Sequence, residues 1–232
     1  MDRLNVLYLL CTLLRGRYVL LIDNDGTIRN TNSVKDECLN GFCVAEFGEI
    51  RTELLPTQIH RRMHGRPMAE IFVAIADEIY GKTITLDEGQ QVTMRLNEYI
   101  RPEYVSRPVF EGAKDFLRVI KAMIPVYILT GMEEDLVDEG LKVHDLGRYY
   151  DGVLGAPKTK EENIRSIMDQ YPGYHLLGIG DAMAEYKAIK AADPKAVFVG
   201  VDFENRPKSV FPEEVRVQTS YEGVINEIIC QA

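Results

Sequence analysis

Asp23 and Asp25, two carboxylates two positions apart, follow directly on the apolar run Tyr18, Val19, Leu20, Leu21, Ile22 and lead at once into Gly26 and Thr27. An apolar, β-rich run that closes on acids and a Gly-Thr turn predicts a buried strand delivering both carboxylates to a sheet edge, where open α/β folds bind their ligands. The pair suits phosphoryl chemistry. One carboxylate can attack phosphorus and hold a hard cation while its neighbour passes protons to and from the leaving group. Asp, Asn and Gly are also ordinary turn residues, so the pair gains meaning only from what accompanies it.

Further polar groups fall at equivalent places. An apolar run at 126–129 ends in Thr130 and Gly131, a hydroxyl and a flexible backbone N–H that together can hold a phosphate oxygen. The stretch from Gly155 to Lys160 opens a helix and carries Lys158 and Lys160, either of which can bind phosphate as a point charge; Lys160 is the favoured choice. A run at 176–179 ends in Gly180 and Asp181, and Glu185 follows four residues on, so both acids face one way on a first helical turn. Such acids can complete a magnesium site with Asp23, since magnesium wants oxygen ligands. Singly, these are a turn, a solvated lysine and a helix-capping acid. Together, each lies at the carboxyl end of a predicted strand or at the helix start beyond it.

The elements that must position them come in two kinds. Residues 33–47, 51–63, 67–80 and 86–100 carry helix-spaced apolar positions, with Ser33 and Asp87 as candidate caps and Pro67 in a first helical turn. Two proline-bearing stretches, at Pro102 and Pro108, predict a stiff return. From 111 onward, helices alternate with short apolar strands, the pattern of a parallel sheet wound with helices. The fold class is therefore α/β: a Rossmann-like parallel-sheet core over 1–27 and 108–232, and an inserted all-helical cap over 28–107. The active site is expected in the crevice between them. Leu4, Leu7, Leu10, Leu13 and Leu14 fit a helix with one buried face before the first strand, packing on the core or on a second subunit.

Composition narrows the function. A net charge of -9 over 232 residues argues against an extended nucleic-acid surface. The apolar segment near the start is too short to span a membrane and lacks a basic start and a small-residue cleavage site. Cys11, Cys38, Cys43 and Cys230 show no zinc or disulfide spacing, which fits reduced thiols in the cytoplasm. His60 and His64 are four apart, but Arg61 stands where a zinc protease needs glutamate. The basic run Arg61, Arg62, His64 and Arg66 can be a loop that reads substrate, with Arg66 the candidate, or a solvated face.

In order and context, Asp23-Asn24-Asp25-Gly26-Thr27, Thr130, Lys160 and Gly180-Asp181 with Glu185 resemble the four motifs of the haloacid dehalogenase superfamily of phosphohydrolases, over the chain from about Tyr18 onward. The inserted helices resemble the cap of its phosphoglycolate phosphatase and β-phosphoglucomutase branch. The resemblance implies that Asp23 is the nucleophile, that Asp25 is the acid and base, and that Thr130, Gly131 and Lys160 hold the phosphoryl group. It also implies that Asp181 binds Mg2+ with Asp23 and the Asp25 carbonyl, with Glu185 at the edge of the metal site. Asn24 departs from a commonly apolar position, and Glu185 replaces the commoner aspartate. The implied activity is Mg2+-dependent hydrolysis of a small phosphate monoester by a monomer or homodimer, and Asp25 speaks against dehalogenation, which needs no acid for a leaving alkoxide. A sugar-phosphate mutase and a catalytically silent phosphate-binding or regulatory protein are the alternatives.

Overall fold

Val19, Leu20, Leu21 and Ile22 are all fully buried, so β1 (Tyr18–Asp23) has no polar face, as expected of a strand covered on both sides. The computed structural model describes residues 3–50, 52–63, 66–204 and 211–231, with side chains from residue 6. In it β1 lies inside a six-stranded sheet with β2 (Val126–Glu133), β3 (Gly152–Ala156), β4 (His175–Gly180), β5 (Val197–Val201) and β6 (Val217–Gln218), in the order β3-β2-β1-β4-β5-β6. Every pairing is parallel. Ile22 is in register with Ile128 on one side and Ile179 on the other, so the ends of β1, β2 and β4 come together.

Helix α1 (Arg3–Leu14) precedes β1. It buries Leu10 and Leu14 but leaves Leu7 39% exposed, so the buried face is narrower than the leucine pattern predicts; the Leu4 side chain lies outside the described residues. By its contacts the chain then groups into two units, Thr31–Ser106 and the remainder, Met1–Asn30 with Arg107–Ala232.

The unit Thr31–Ser106 is helical: α2 (Asn32–Phe47), α3 (Pro56–Arg62), α4 (Met68–Tyr80) and α5 (Leu86–Ser106). Phe42 and Phe72 approach to 5.7 Å between ring centres within a core that includes Leu39, Ile75, Val92 and Leu96. Three details differ from the sequence reading. Helix α3 begins at Pro56, whose fixed φ suits a first position, with Leu55 N–H donating to Gln58 Oε1 at 2.8 Å; Arg51 lies outside the described residues. Thr85 rather than Asp87 caps α5, exchanging hydrogen bonds with Glu88 at 2.7 and 3.2 Å, and Ser33 lies inside α2. Helix α5 continues through Pro102, so the expected stiff return there is helix, and Tyr104 just beyond it is 1% exposed.

In the other unit, α6 (Ala113–Lys121), α7 (Glu134–Val143), α8 (Lys160–Gln170), α9 (Met183–Ala192) and α10 (Tyr221–Gln231) accompany the sheet. Val19, Leu21 and Leu129 pack with Ile164 and Ile167 of α8 and Ile189 of α9 in one buried cluster. The end of β2 departs from expectation. The strand does not stop at Leu129, because after Leu129 pairs with Leu154 the register slips and resumes only at Glu133 opposite Ala156. Thr130, Gly131 and Met132 form this bulge rather than a turn, and a bulge of this kind re-aims side chains at a sheet edge.

Candidate active site

Beyond Asp23 the chain turns sharply around one carbonyl. Asn24 O accepts from the N–H groups of Thr27, Ile28 and Arg29 at 3.3, 3.0 and 3.0 Å, and Gly26 N–H donates to Arg29 O at 2.9 Å. Gly26 has a φ of 76°, which glycine adopts without steric cost. Asn24 serves the turn through its backbone, and its side-chain Nδ2 donates to Asp25 Oδ1 at 3.2 Å. The other Asp25 oxygen, Oδ2, accepts from Thr130 Oγ1 at 3.2 Å, and that hydroxyl in turn accepts from Met132 N–H at 3.1 Å. The β2 bulge therefore aims Thr130 at Asp25. Gly131 next to it is exposed, with nothing within 4 Å of where a Cβ would stand.

Lys160 is the first residue of α8, which Thr159 opens with a hydrogen-bonded cap to Glu162. Its Nζ donates to Asp23 Oδ1 at 3.0 Å and pairs closely with Glu185 Oε1 from the first turn of α9. Lys158 is exposed. Gly180, ending β4, leaves room for this approach: a Cβ there would lie 3.2 Å from Glu185 Cβ and 3.6 Å from Asp23 Cβ. The second Glu185 oxygen, Oε2, is buried without a hydrogen-bond partner. Arg66 belongs to the helical unit, exposed and 3.4 Å from Glu70. The neighbouring bases are also paired, His60 and Arg61 with Asp36 and Arg62 with Glu78, while His64 and Gly65 lie outside the described residues.

Burial pushes the Asp23 carboxyl well above the usual carboxylate range. The Lys160 ammonium opposes this, while the charges of Glu185, Asp181 and Asp25 add to it. For Lys160, burial works against the charged form, but Asp23 and Glu185 more than reverse it, so its pKa is raised. The lysine therefore stays cationic while surrounded by an excess of acids. Among the described residues no three acidic, histidine or cysteine side chains form a ready-made metal cage.

Two residues here have roles that their local sequence does not signal. Tyr221, at the start of α10, donates its hydroxyl to Thr27 O at 2.8 Å across 194 positions. Gly155 N–H donates to Glu134 Oε1 at 3.1 Å, and a Cβ on Gly155 would stand 2.3 Å from Met132 O, so this glycine lets β3 close on the β2 bulge.

The geometry can be set beside known proteins. The solved structure of a predicted phosphatase from Clostridium acetobutylicum superposes with a TM-score of 0.66 at 16% identity, covering 93% of this chain and 99% of that one. The candidate HAD-hydrolase YfnB from Bacillus subtilis, solved bound to magnesium, gives 0.65 at 16% identity over 92% and 99%. A candidate beta-phosphoglucomutase from Thermotoga maritima gives 0.61 at 18% identity over 90% and 97%. At these identities the likeness is one of fold. No curated protein sequence matches the chain. The family model of the haloacid dehalogenase-like hydrolases matches residues 19–193, a span that takes in Asp23, Asp25, Thr130, Lys160, Asp181 and Glu185, and the chain belongs to that family.

Proposed function

We propose that this hydrolase is a Mg2+-dependent phosphatase that cleaves a small organic phosphate monoester through an aspartyl-phosphate on Asp23. The observation that carries the reading is the Lys160 ammonium bridging Asp23 and Glu185, with Asp25 held by Thr130 beside them. Lys160 fixes one Asp23 oxygen and leaves the other to attack phosphorus. As the P–O bond to the alcohol breaks, protonated Asp25 gives its proton to the leaving oxygen. Asp25 then takes a proton from water, whose oxygen attacks the aspartyl-phosphate, frees Asp23 and yields inorganic phosphate. Thr130 has one hydroxyl proton, which orients Asp25 here and would turn to a phosphoryl oxygen when substrate binds, where Gly131 N–H and Lys160 also offer donors.

The residues present fit a hard cation. Mg2+ needs only one or two carboxylates and fills its remaining positions with water and phosphate. Asp23 and Asp181 would hold it with the Asp25 carbonyl, and the partnerless Glu185 oxygen lies in the same acidic group. Bound there, it would offset the negative charge that an anionic nucleophile and an anionic ester bring together. The helical unit Thr31–Ser106 would act as the cap that selects substrate, with Arg66 a candidate contact. Free cysteines among the described residues suit a reducing, cytoplasmic setting.

The test is Mg2+-dependent phosphate release from para-nitrophenyl phosphate and a panel of phosphate monoesters, abolished in Asp23→Asn and by chelator. Silence over the whole panel would overturn the reading in favour of a regulatory role. Isomerisation of a hexose phosphate with little free phosphate would assign a mutase instead.

A further inference from the structure

The turn that carries Asp25 is closed internally by the Asn24 carbonyl, but its far corner, Thr27, is held from elsewhere. Thr27 is fully buried and its own hydroxyl has no hydrogen-bond partner, so its carbonyl is where the corner is fastened. The donor is the Tyr221 hydroxyl at 2.8 Å. A buried carbonyl cannot take water as a substitute, so this bond has a defined cost of removal.

The donor is itself immobilised. The Tyr221 ring lies 5.0 Å from Phe116 and 4.9 Å from Phe203 between ring centres, and Tyr221 is 4% exposed. Gly112, with a φ of 83°, stands so close that a Cβ would be 3.2 Å from Tyr221 Cβ. The tyrosine ring is thus packed on several sides where it reaches the turn. Thr130 on β2 bonds the Asp25 carboxylate itself, Phe110 N–H donates to Ile28 O at 2.9 Å, and Tyr221 on α10 fastens the corner two residues beyond Asp25.

We propose that Tyr221 is a positioning residue for the reaction, fixing through Thr27 the turn that presents Asp25 at the end of β1. It touches neither substrate nor phosphorus, and its contribution is the accuracy with which Asp25 meets the leaving oxygen. Proton transfer is more sensitive than binding to such placement, so the loss should fall on kcat rather than KM. The catalytic part of this proposal rests on the phosphatase reading, while the tether itself does not.

The experiment compares Tyr221→Phe, which keeps the ring, with Phe198→Leu, which loosens packing around the sheet without touching the turn. Hydrogen exchange over residues 24–29 and steady-state phosphate release are measured on each. Tyr221→Phe should speed exchange over 24–29 severalfold and lower kcat by about tenfold with KM within about twofold, whereas Phe198→Leu should do neither even if its Tm falls further. Unchanged exchange in Tyr221→Phe overturns the tether whether or not the protein turns over. Faster exchange with intact kcat, or equal kcat loss in Phe198→Leu, overturns the positioning role. If the wild-type protein releases no phosphate, the phosphatase reading fails and the positioning role falls with it, while the exchange result still decides the tether.

Discussion

Lys160 Nζ donates to Asp23 Oδ1 across 3.0 Å, joining the first residue of α8 to the last residue of β1 over 137 positions of sequence. Lys158, two residues earlier, is exposed. Lys160→Ala should therefore lower kcat by about 10²- to 10³-fold, the usual loss on removing one preorganised donor from a charged transition state. Lys158→Ala should stay within about twofold of wild type, because an exposed lysine is screened by solvent. Steady-state phosphate release from both variants checks this, and the reverse ranking would reassign the lysine.

Asp25→Asn keeps a side chain that can still bond Thr130 but cannot deliver a proton. Turnover should fall by about 10²- to 10⁴-fold. Mg2+ affinity, read by calorimetry or by the metal-induced rise in Tm, should be nearly unchanged, because the metal would meet the backbone carbonyl of Asp25. An equal loss of both would place the Asp25 carboxylate on the metal.

Gly140 lies in α7 where a Cβ would come within 2.0 Å of Nη1 of Arg29, a fully buried arginine that has no route to solvent. Glycine is normally a poor helix residue, so replacing it usually stabilises. Here overpacking wins, and Gly140→Ala should destabilise by about 1–3 kcal/mol. Chemical denaturation reads the sign directly.

In the helical unit, Asp36 accepts from His60 Nδ1 and Arg61 Nε, both at 2.9 Å. Burial raises its pKa, but the bonds from His60 and Arg61 more than offset this and leave it below the usual carboxylate value. A depressed carboxylate stabilises above its unfolded pKa of about 3.9 and loses that contribution as pH falls through the folded value. Arg61 is 70% exposed, so solvent screening holds the effect to roughly 0.5 kcal/mol. Asp36→Asn should melt slightly below wild type near pH 7, and the two curves should converge as pH falls through the lowered pKa of folded Asp36.

Elements built from one continuous pattern were legible in the chain. The apolar run before Asp23 predicts β1, and the stretch from Gly155 to Lys160 opens a helix where α8 is observed to start, at Lys160. What escaped depends on partners distant in sequence. Thr130-Gly131 reads locally as a turn, and only pairing of β2 with β3 turns it into a bulged strand. Pro102 reads as a break, yet α5 runs past it and buries Tyr104 beyond it. The site residue types could be found because each lies at the end of an apolar run or at the helix start beyond it. Tyr221 could not, since nothing near it in sequence points to Thr27.

The strand order also bears on how the chain is made. β1 is synthesised first among the strands, yet its neighbours are β2 and β4, which begin at Val126 and His175. During translation the ribosome therefore releases a strand with four fully buried apolar residues whose two edges have nothing to pair with. The intervening helical unit, whose contacts are local, can fold in that interval. The nascent strand thus waits with both edges unpaired until β2 and β4 emerge, and the residue at its end is the proposed nucleophile.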